Sequence, residues 1–295
     1  MHTPEQPRNN PMVLVGVFSA VVLFVLGLGA VQDIRVPDPI PGRAVAAPGG
    51  ALPAEAPGPR PVLRLGDHPL LVKAVSLPAT ACALPAFGLS DKELIAYYTA
   101  GVACMDEAWR PVLEQANLPF ERPTLNATPE LGGSPCGDAP AEGEAVAYYC
   151  GRNRAIYMPT GRMRDNGGGD RPGTHLATLA HEYGHHVQAL SGMLRAADFK
   201  IGAAGEETPA GLEWSRRIEL QANCFAGLFL YATSDALGPD LAREAAEDFQ
   251  YAVEEPAEKN AHGLPDNQAE WAMNGFAAGT TGSCNTYTAS AADVA

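Results

Sequence analysis

Residues 176–190 read LATLAHEYGHHVQAL, with three histidines and one glutamate inside six positions. Leu176, Leu179, Ala180, Val187 and Leu190 recur at helical spacing, which predicts an amphipathic helix. Positions four apart on a helix differ by about 40° around its axis. His181 and His185 therefore project from one face, one turn apart, where both imidazoles can meet a single ion. Glu182 falls between them in angle and can reach a water on that ion without ligating it. This is the physical content of His-Glu-x-x-His: two zinc ligands and a general base. His186 points about 100° further round the axis, as a supporting or core-edge residue rather than a ligand.

A working site needs a third protein ligand. A metzincin would carry Gly at position 188 and His at 191; this chain has Gln188 and Ser191, which excludes that class. The alternative is a glutamate on a later helix, and RRIELQANCFAG (216–227) offers Glu219. Asn223 lies one turn on, on the same face, and could orient an imidazole by a hydrogen bond from behind. Cys224 is about 140° from Glu219, which favours packing or a disulfide over ligation. Glu206, Glu207 and Glu213 compete as carboxylates but do not stand in this arrangement.

Residues 12–31, MVLVGVFSAVVLFVLGLGAV, are uncharged for about the length that spans a bilayer. A cleaved signal peptide would want a small residue where Leu28 stands, so a retained signal anchor is expected. Its orientation is poorly determined by Arg8 on one side and Arg35 and Arg43 on the other. The stretch VPDPIPGRAVAAPGGALPAEAPGPRP that follows has little apolar periodicity. The expected organisation is a short tail (1–11), a transmembrane signal anchor (12–31), a Pro/Gly/Ala-rich linker (32–74), a folded domain (75–290) and a C-terminal tail (291–295). A net charge of −14 argues against a nucleic-acid partner, because phosphate neutralisation needs clustered Lys and Arg.

All six cysteines, Cys82, Cys104, Cys136, Cys150, Cys224 and Cys284, follow the apolar segment. With no Cys-x-x-Cys pair, a cysteine zinc site is disfavoured. An even number in an exported domain points to up to three disulfides, with reduced cysteines in a cytosolic domain as the alternative. Local pairing gives Cys82–Cys104 and Cys136–Cys150, leaving Cys224 for Cys284. This usage favours a single-pass membrane protein with its folded domain on the extracytoplasmic side.

Ser90 and Glu93 form a capping-box pair that opens a helix lined by Leu94, Tyr97, Tyr98, Val102, Met105, Trp109 and Leu113; Pro111 predicts a kink or break there. RPTLNAT reads as a short strand and AVAYYCGRNRAIYMP as two strands around a turn. MRDNGGGDRPGTH reads as a flexible loop without the Lys-Ser/Thr of a phosphate loop. Helical patterns cover residues 174–192, 209–233, 239–254 and 265–278. The order is that of an α+β domain, mostly helical with a small sheet.

The pair AHEYGHHVQ and ELQANCFAG resembles the signature of the bacterial neutral zinc metallopeptidase family. Looser segments match in the same order: ACMDEAWRPVLEQANLPFERPTL, CGDAPAEGEAVAYYCGRNRAIYMP and AHGLPDNQAEWAMNGFAAGTTGSCNTY. The resemblance covers residues 80–288. It implies a zincin-like metallopeptidase domain with His181, His185 and Glu219 on one Zn2+ per chain and Glu182 as the base. One departure is Asn223, where the family usually carries Asp; an Asn oxygen can accept from an imidazole N–H but brings no charge.

The implied activity is hydrolysis of a peptide or protein substrate by metal-activated water, with the proton passing through Glu182 to the leaving amine. RAIYMP is expected to hold an extended peptide by strand addition. His262 and Tyr183 are candidates for stabilising the oxyanion, with a structural role preferred for each. The competing functions are an exported, non-catalytic zinc-fold binding or assembly protein and a zinc amidase acting on a cell-wall substrate. Oligomeric state is open.

Overall fold

The computed structural model describes residues 58–141, 145–251, 255–256 and 258–295. The expected signal anchor lies outside these, as does the linker up to residue 57. Among the described residues no helix is long and apolar enough to cross a membrane.

Eight helices and a small sheet make up the described fold. A short helix α1 (Pro69–Val72) leads to α2 (Asp91–Gln115). In α2 the Ser90 Oγ accepts from the Glu93 amide at 3.3 Å, and the Glu93 carboxylate accepts from the Ser90 amide at 3.1 Å. The helix runs unbroken through Pro111. Pro111 and Glu107 are both exposed, so the carbonyl that Pro111 cannot bond lies on the solvent face.

Strands β1 (Thr124–Asn126), β2 (Tyr148–Cys150) and β3 (Ala155–Tyr157) form one sheet in the order β1-β3-β2. β1 pairs parallel and β2 antiparallel with β3. The expectation that RAIYMP takes a peptide strand is thereby corrected. β3 is central, buried and bonded on both sides, and β2 is the edge strand beside it.

A helical turn α3 (Thr160–Arg162) continues into a π-helical turn over Met163–Gly167. The expected flexible loop is therefore partly ordered, and His175 Nε2 donates to Gly169 O at 3.0 Å. Helix α4 (Pro172–Ser191) carries the histidines; it begins with Pro at its first position and ends where Gly192 turns left-handed at φ 95°. α5 (Met193–Ala204) restarts at once and was not expected from sequence. α6 (Pro209–Leu237) opens on Thr208, whose hydroxyl accepts from the Gly211 amide at 3.1 Å. α7 (Pro239–Glu247) gives way to a 3-10 turn over Asp248–Tyr251, and α8 is Pro265–Ala278.

α6 is the hub, packing on α4, α5, α7 and α8. The ring of Trp109 meets Phe225 edge-on at 5.1 Å, joining α2 to α6. Three disulfides form: Cys82–Cys104, Cys136–Cys150 and Cys224–Cys284, the pairs favoured from sequence. The last ties α6 to the C-terminal segment.

Two boundaries differ from expectation. Residues 62–74 are not linker. Leu70 and Leu71 are buried in the core, Val62 N donates to Ser191 O at 2.7 Å, and Leu70 O accepts from Thr281 Oγ1. Residues 291–295 are not a free tail either. Val294 is buried, its carbonyl accepts from Arg216 Nε at 2.7 Å, and Ala295 O accepts from Leu264 N at 2.7 Å. In both segments the partners are distant in sequence, so local composition carried no sign of them.

Candidate metal centre

Gly184 allows α4 and α6 to approach closely: a Cβ there would stand 2.8 Å from Ala222 O. That approach brings two histidines of α4 to one glutamate of α6. His181 Nε2 lies 3.0 Å from His185 Nε2, and each lies 3.2 Å from Glu219 Oε2. Ligand bonds of about 2.0–2.1 Å around a tetrahedral ion place donors about 3.3 Å apart, so this triangle fits to within a few tenths of an ångström.

The proton inventory points the same way. His181 Nδ1 is 2.6 Å from Asn223 Oδ1, and His185 Nδ1 is 2.9 Å from Gln188 Oε1. Both amide oxygens accept, so each imidazole donates through Nδ1–H and, when neutral, keeps a bare lone pair on Nε2. Two lone pairs and a carboxylate oxygen this close repel unless a proton or a cation lies between them. Imidazole nitrogen and carboxylate oxygen together suit zinc.

Gln188 is itself held. Its Nε2 donates to Ile218 O at 2.8 Å and to Gln221 Oε1 at 3.1 Å. Gln221 in turn donates to Cys284 O at 3.0 Å and accepts from Tyr287 Oη at 3.2 Å. A buried amide network thus runs from His185 to the Cys224–Cys284 bridge. Sequence reasoning missed it: Gln188 served there only to exclude a class.

Burial would raise the Glu219 carboxyl, but the His185 charge and hydrogen bonds from both histidines hold it well below the usual range. Burial would likewise lower His185, and Glu219 outweighs it to raise that imidazole. Glu182 is buried and its carboxyl is raised by desolvation, against the opposing pull of His181 and His185.

Two cavities meet at this point. One of about 330 Å³ runs past Tyr148, Tyr149, Leu194 and Ile201. The other, of about 310 Å³, runs past Thr174, Asn223, Asp248 and Phe249. His181, Glu182, His262 and Ala145 line both. Residues 145–147, which lead into the edge strand β2, form part of the wall.

His186 turns away from the cluster, with Nε2 2.8 Å from Glu121 O and Nδ1 3.1 Å from Tyr149 Oη. Tyr183 is also remote from it, its hydroxyl donating to the buried Asp106 at 2.7 Å. His262, for which the sequence favours a structural role, borders the cleft. It is exposed, lines both cavities, and has Nδ1 3.0 Å from Glu255 Oε1. Partial desolvation by the cavity walls would lower its imidazole, but Glu219 and Glu255 outweigh this and raise it. Of the competing carboxylates, Glu213 is paired with Arg217 at 2.8 Å, and Glu206 and Glu207 are exposed outside the donor cluster.

A profile of the family described as "Putative neutral zinc metallopeptidase" matches residues 73–287. The chain is 29% identical over 212 residues to "Uncharacterized protein Rv2575" of Mycobacterium tuberculosis, covering 63% of this chain and 68% of that one. It is 24% identical over 216 residues to "Uncharacterized protein YpfJ" of Escherichia coli K12, covering 67% and 73%. No solved structure matches the chain.

Proposed function

Since the chain belongs to the neutral zinc metallopeptidase family, we propose that it hydrolyses peptide bonds at the junction of the two cavities. The observation that carries this reading is the triangle of His181 Nε2, His185 Nε2 and Glu219 Oε2, with Glu182 beside it in the cavity wall. His181, His185 and Glu219 would hold one zinc ion per chain. Bound there, the ion supplies Lewis acidity toward water and a carbonyl oxygen.

The remaining chemistry belongs to the side chains. Glu182 takes a proton from the attacking water and delivers it to the leaving amine nitrogen. Its carboxyl, raised by desolvation, is a stronger base than a solvated glutamate. His262 faces the same space with Nδ1–H donating to Glu255, and as the imidazolium that Glu219 and Glu255 favour it also carries an Nε2–H able to donate to the oxyanion. An extended substrate backbone would run along the edge strand β2 and residues 145–147, which line the cavity. Three disulfides suit an oxidising compartment, and we propose that the domain works outside the cytoplasm.

The test is zinc content and peptide digestion by the full chain beside Glu182→Gln. The variant should hold zinc at the native level and lose hydrolysis. Undiminished cleavage by the variant would overturn the role of Glu182, and native protein that binds zinc but cuts no peptide in a diverse library would overturn the peptidase reading.

A further inference from the structure

The cavity past Tyr148 and Tyr149 has a larger neighbour. Leu194 and Asp198 of α5 line it on one side and a larger cavity of about 730 Å³ on the other. That second cavity is walled by the end of α4, the start of α5 and the β2–β3 turn. Three of its lining residues are arginines, Arg152, Arg154 and Arg195, against the single acid Asp198. This is a local excess of positive charge in a chain whose net charge is −14.

The three guanidiniums are incompletely used. Arg152 donates one N–H to Pro135 O at 2.8 Å. Arg154 pairs with Glu121, and both side chains are about half exposed, where such a pair is weak and exchangeable. Arg195 rests 5.6 Å from the centre of the Phe199 ring, and among the described residues no hydrogen bond or ion pair engages its guanidinium. Each guanidinium offers five donors in a planar fork that matches a carboxylate. All three arginines are exposed, so binding an acid there requires no burial of an unpaired charge.

We infer that this cavity is an extension of the substrate cleft that selects peptides bearing Asp or Glu side chains beyond the residues flanking the scissile bond. The inference rests on the peptidase reading for the cleft itself. Anionic substrates would otherwise be repelled by the rest of the molecule, and the arginines give them one attractive approach.

The test uses zinc-loaded full chain and paired quenched peptides of one sequence, with Glu or Gln at the positions reaching this side. Wild type should prefer the Glu peptide in kcat/KM by about tenfold, carried mainly by KM, as expected for one charge-assisted contact. The preference should shrink at high salt. In Arg152→Gln/Arg195→Gln it should fall to about one. Equal cleavage of both peptides by wild type, or an undiminished preference in the double variant, would overturn the inference while leaving the peptidase reading intact. Binding of the same peptides to Glu182→Gln separates the two further. Arginine-dependent capture of the Glu peptide supports the surface even if wild type fails to cut, and equal capture of both peptides overturns it. An arginine-dependent response to free polyphosphate but not to the Glu peptide would point to an anionic polymer and sink the peptide assignment.

Discussion

His181 Nδ1 meets Asn223 Oδ1 at 2.6 Å, and His185 meets Gln188 in the same way, so both imidazoles of the cluster are oriented by neutral carboxamides. A carboxylate behind a ligand histidine raises its basicity; an amide fixes the tautomer and contributes no charge. Asn223→Ala should therefore weaken zinc binding about 10- to 100-fold, and Asn223→Asp should strengthen it. Competition against a chromophoric chelator reads both. Unchanged affinity in both variants would show that the hydrogen bond has no influence on the site.

Of the three residues proposed to hold zinc, Glu219 is the one that sequence spacing constrained least and geometry constrains most. Glu219→Ala leaves two histidine lone pairs facing each other at 3.0 Å with no anion beside them. Zinc content after dialysis should drop from about one equivalent to well below half. Glu219→Gln keeps the shape and should fall between. Full occupancy in Glu219→Ala would remove this residue from the ligand set.

The parts of the site that were legible in the sequence are those governed by local spacing. His181, Glu182 and His185 share one helix, and Glu219 and Asn223 share another, so one helical turn of arithmetic related each pair. Gln188 and Gln221 were not legible, because they meet only after α4 and α6 pack. His262 could be named as a candidate from the sequence but not assigned to the cleft, since it lies on the chain before α8 and reaches the cleft only through the fold. α5 was missed because Gly192 ends one helix and starts the next with no connecting loop to mark it. The segment 62–74 looked like a linker because its anchors, Ser191 and Thr281, are more than a hundred residues away.

His68 is one such anchor and carries a pH signature. It is buried, its Nδ1 accepts from the Leu70 amide at 3.1 Å, and its Nε2 lies 3.2 Å from Ser191 O. Burial lowers its pKa to about 4, with Arg64 helping and the Ser191 carbonyl and Asp67 opposing. The folded state thus resists protonation that the unfolded chain accepts near 6.5. The stabilising contribution is complete above 6.5 and is lost as pH falls from there toward about 4. Denaturant midpoints of the native chain and His68→Asn, which keeps an acceptor for the Leu70 amide, should diverge most at neutral pH and converge on acidification. A constant difference across that range would discount His68 as the titrating group.

The Cys224–Cys284 bridge holds the segment that supports Gln221, and through it Gln188 and His185. It closes a span of 60 residues, for which loss of the cross-link costs about 4 kcal/mol on the chain-entropy account. Cys224→Ala/Cys284→Ala should lower thermal stability accordingly and also speed zinc release, because the amide network loses its anchor. Opening Cys136–Cys150, which lies outside that network, should leave zinc release near the native rate. Equal zinc release from both variants would break the proposed link between bridge and site.

Gly184 tests the packing that brings the donors together. An added methyl would meet Ala222 O at 2.8 Å, inside contact distance, and the obstruction is backbone that cannot rotate away. Gly184→Ala raises helix propensity by about 1 kcal/mol, so a purely local view predicts stabilisation. Overpacking at a helix crossing costs about 1–3 kcal/mol and should win. The same strain pushes α6 away from α4 and carries Glu219 away from both imidazoles. The variant should therefore lose stability and zinc affinity together, measured by denaturation with and without zinc. A variant more stable than the native chain, with zinc affinity unchanged, would mean that the helices accommodate the methyl without moving the donors.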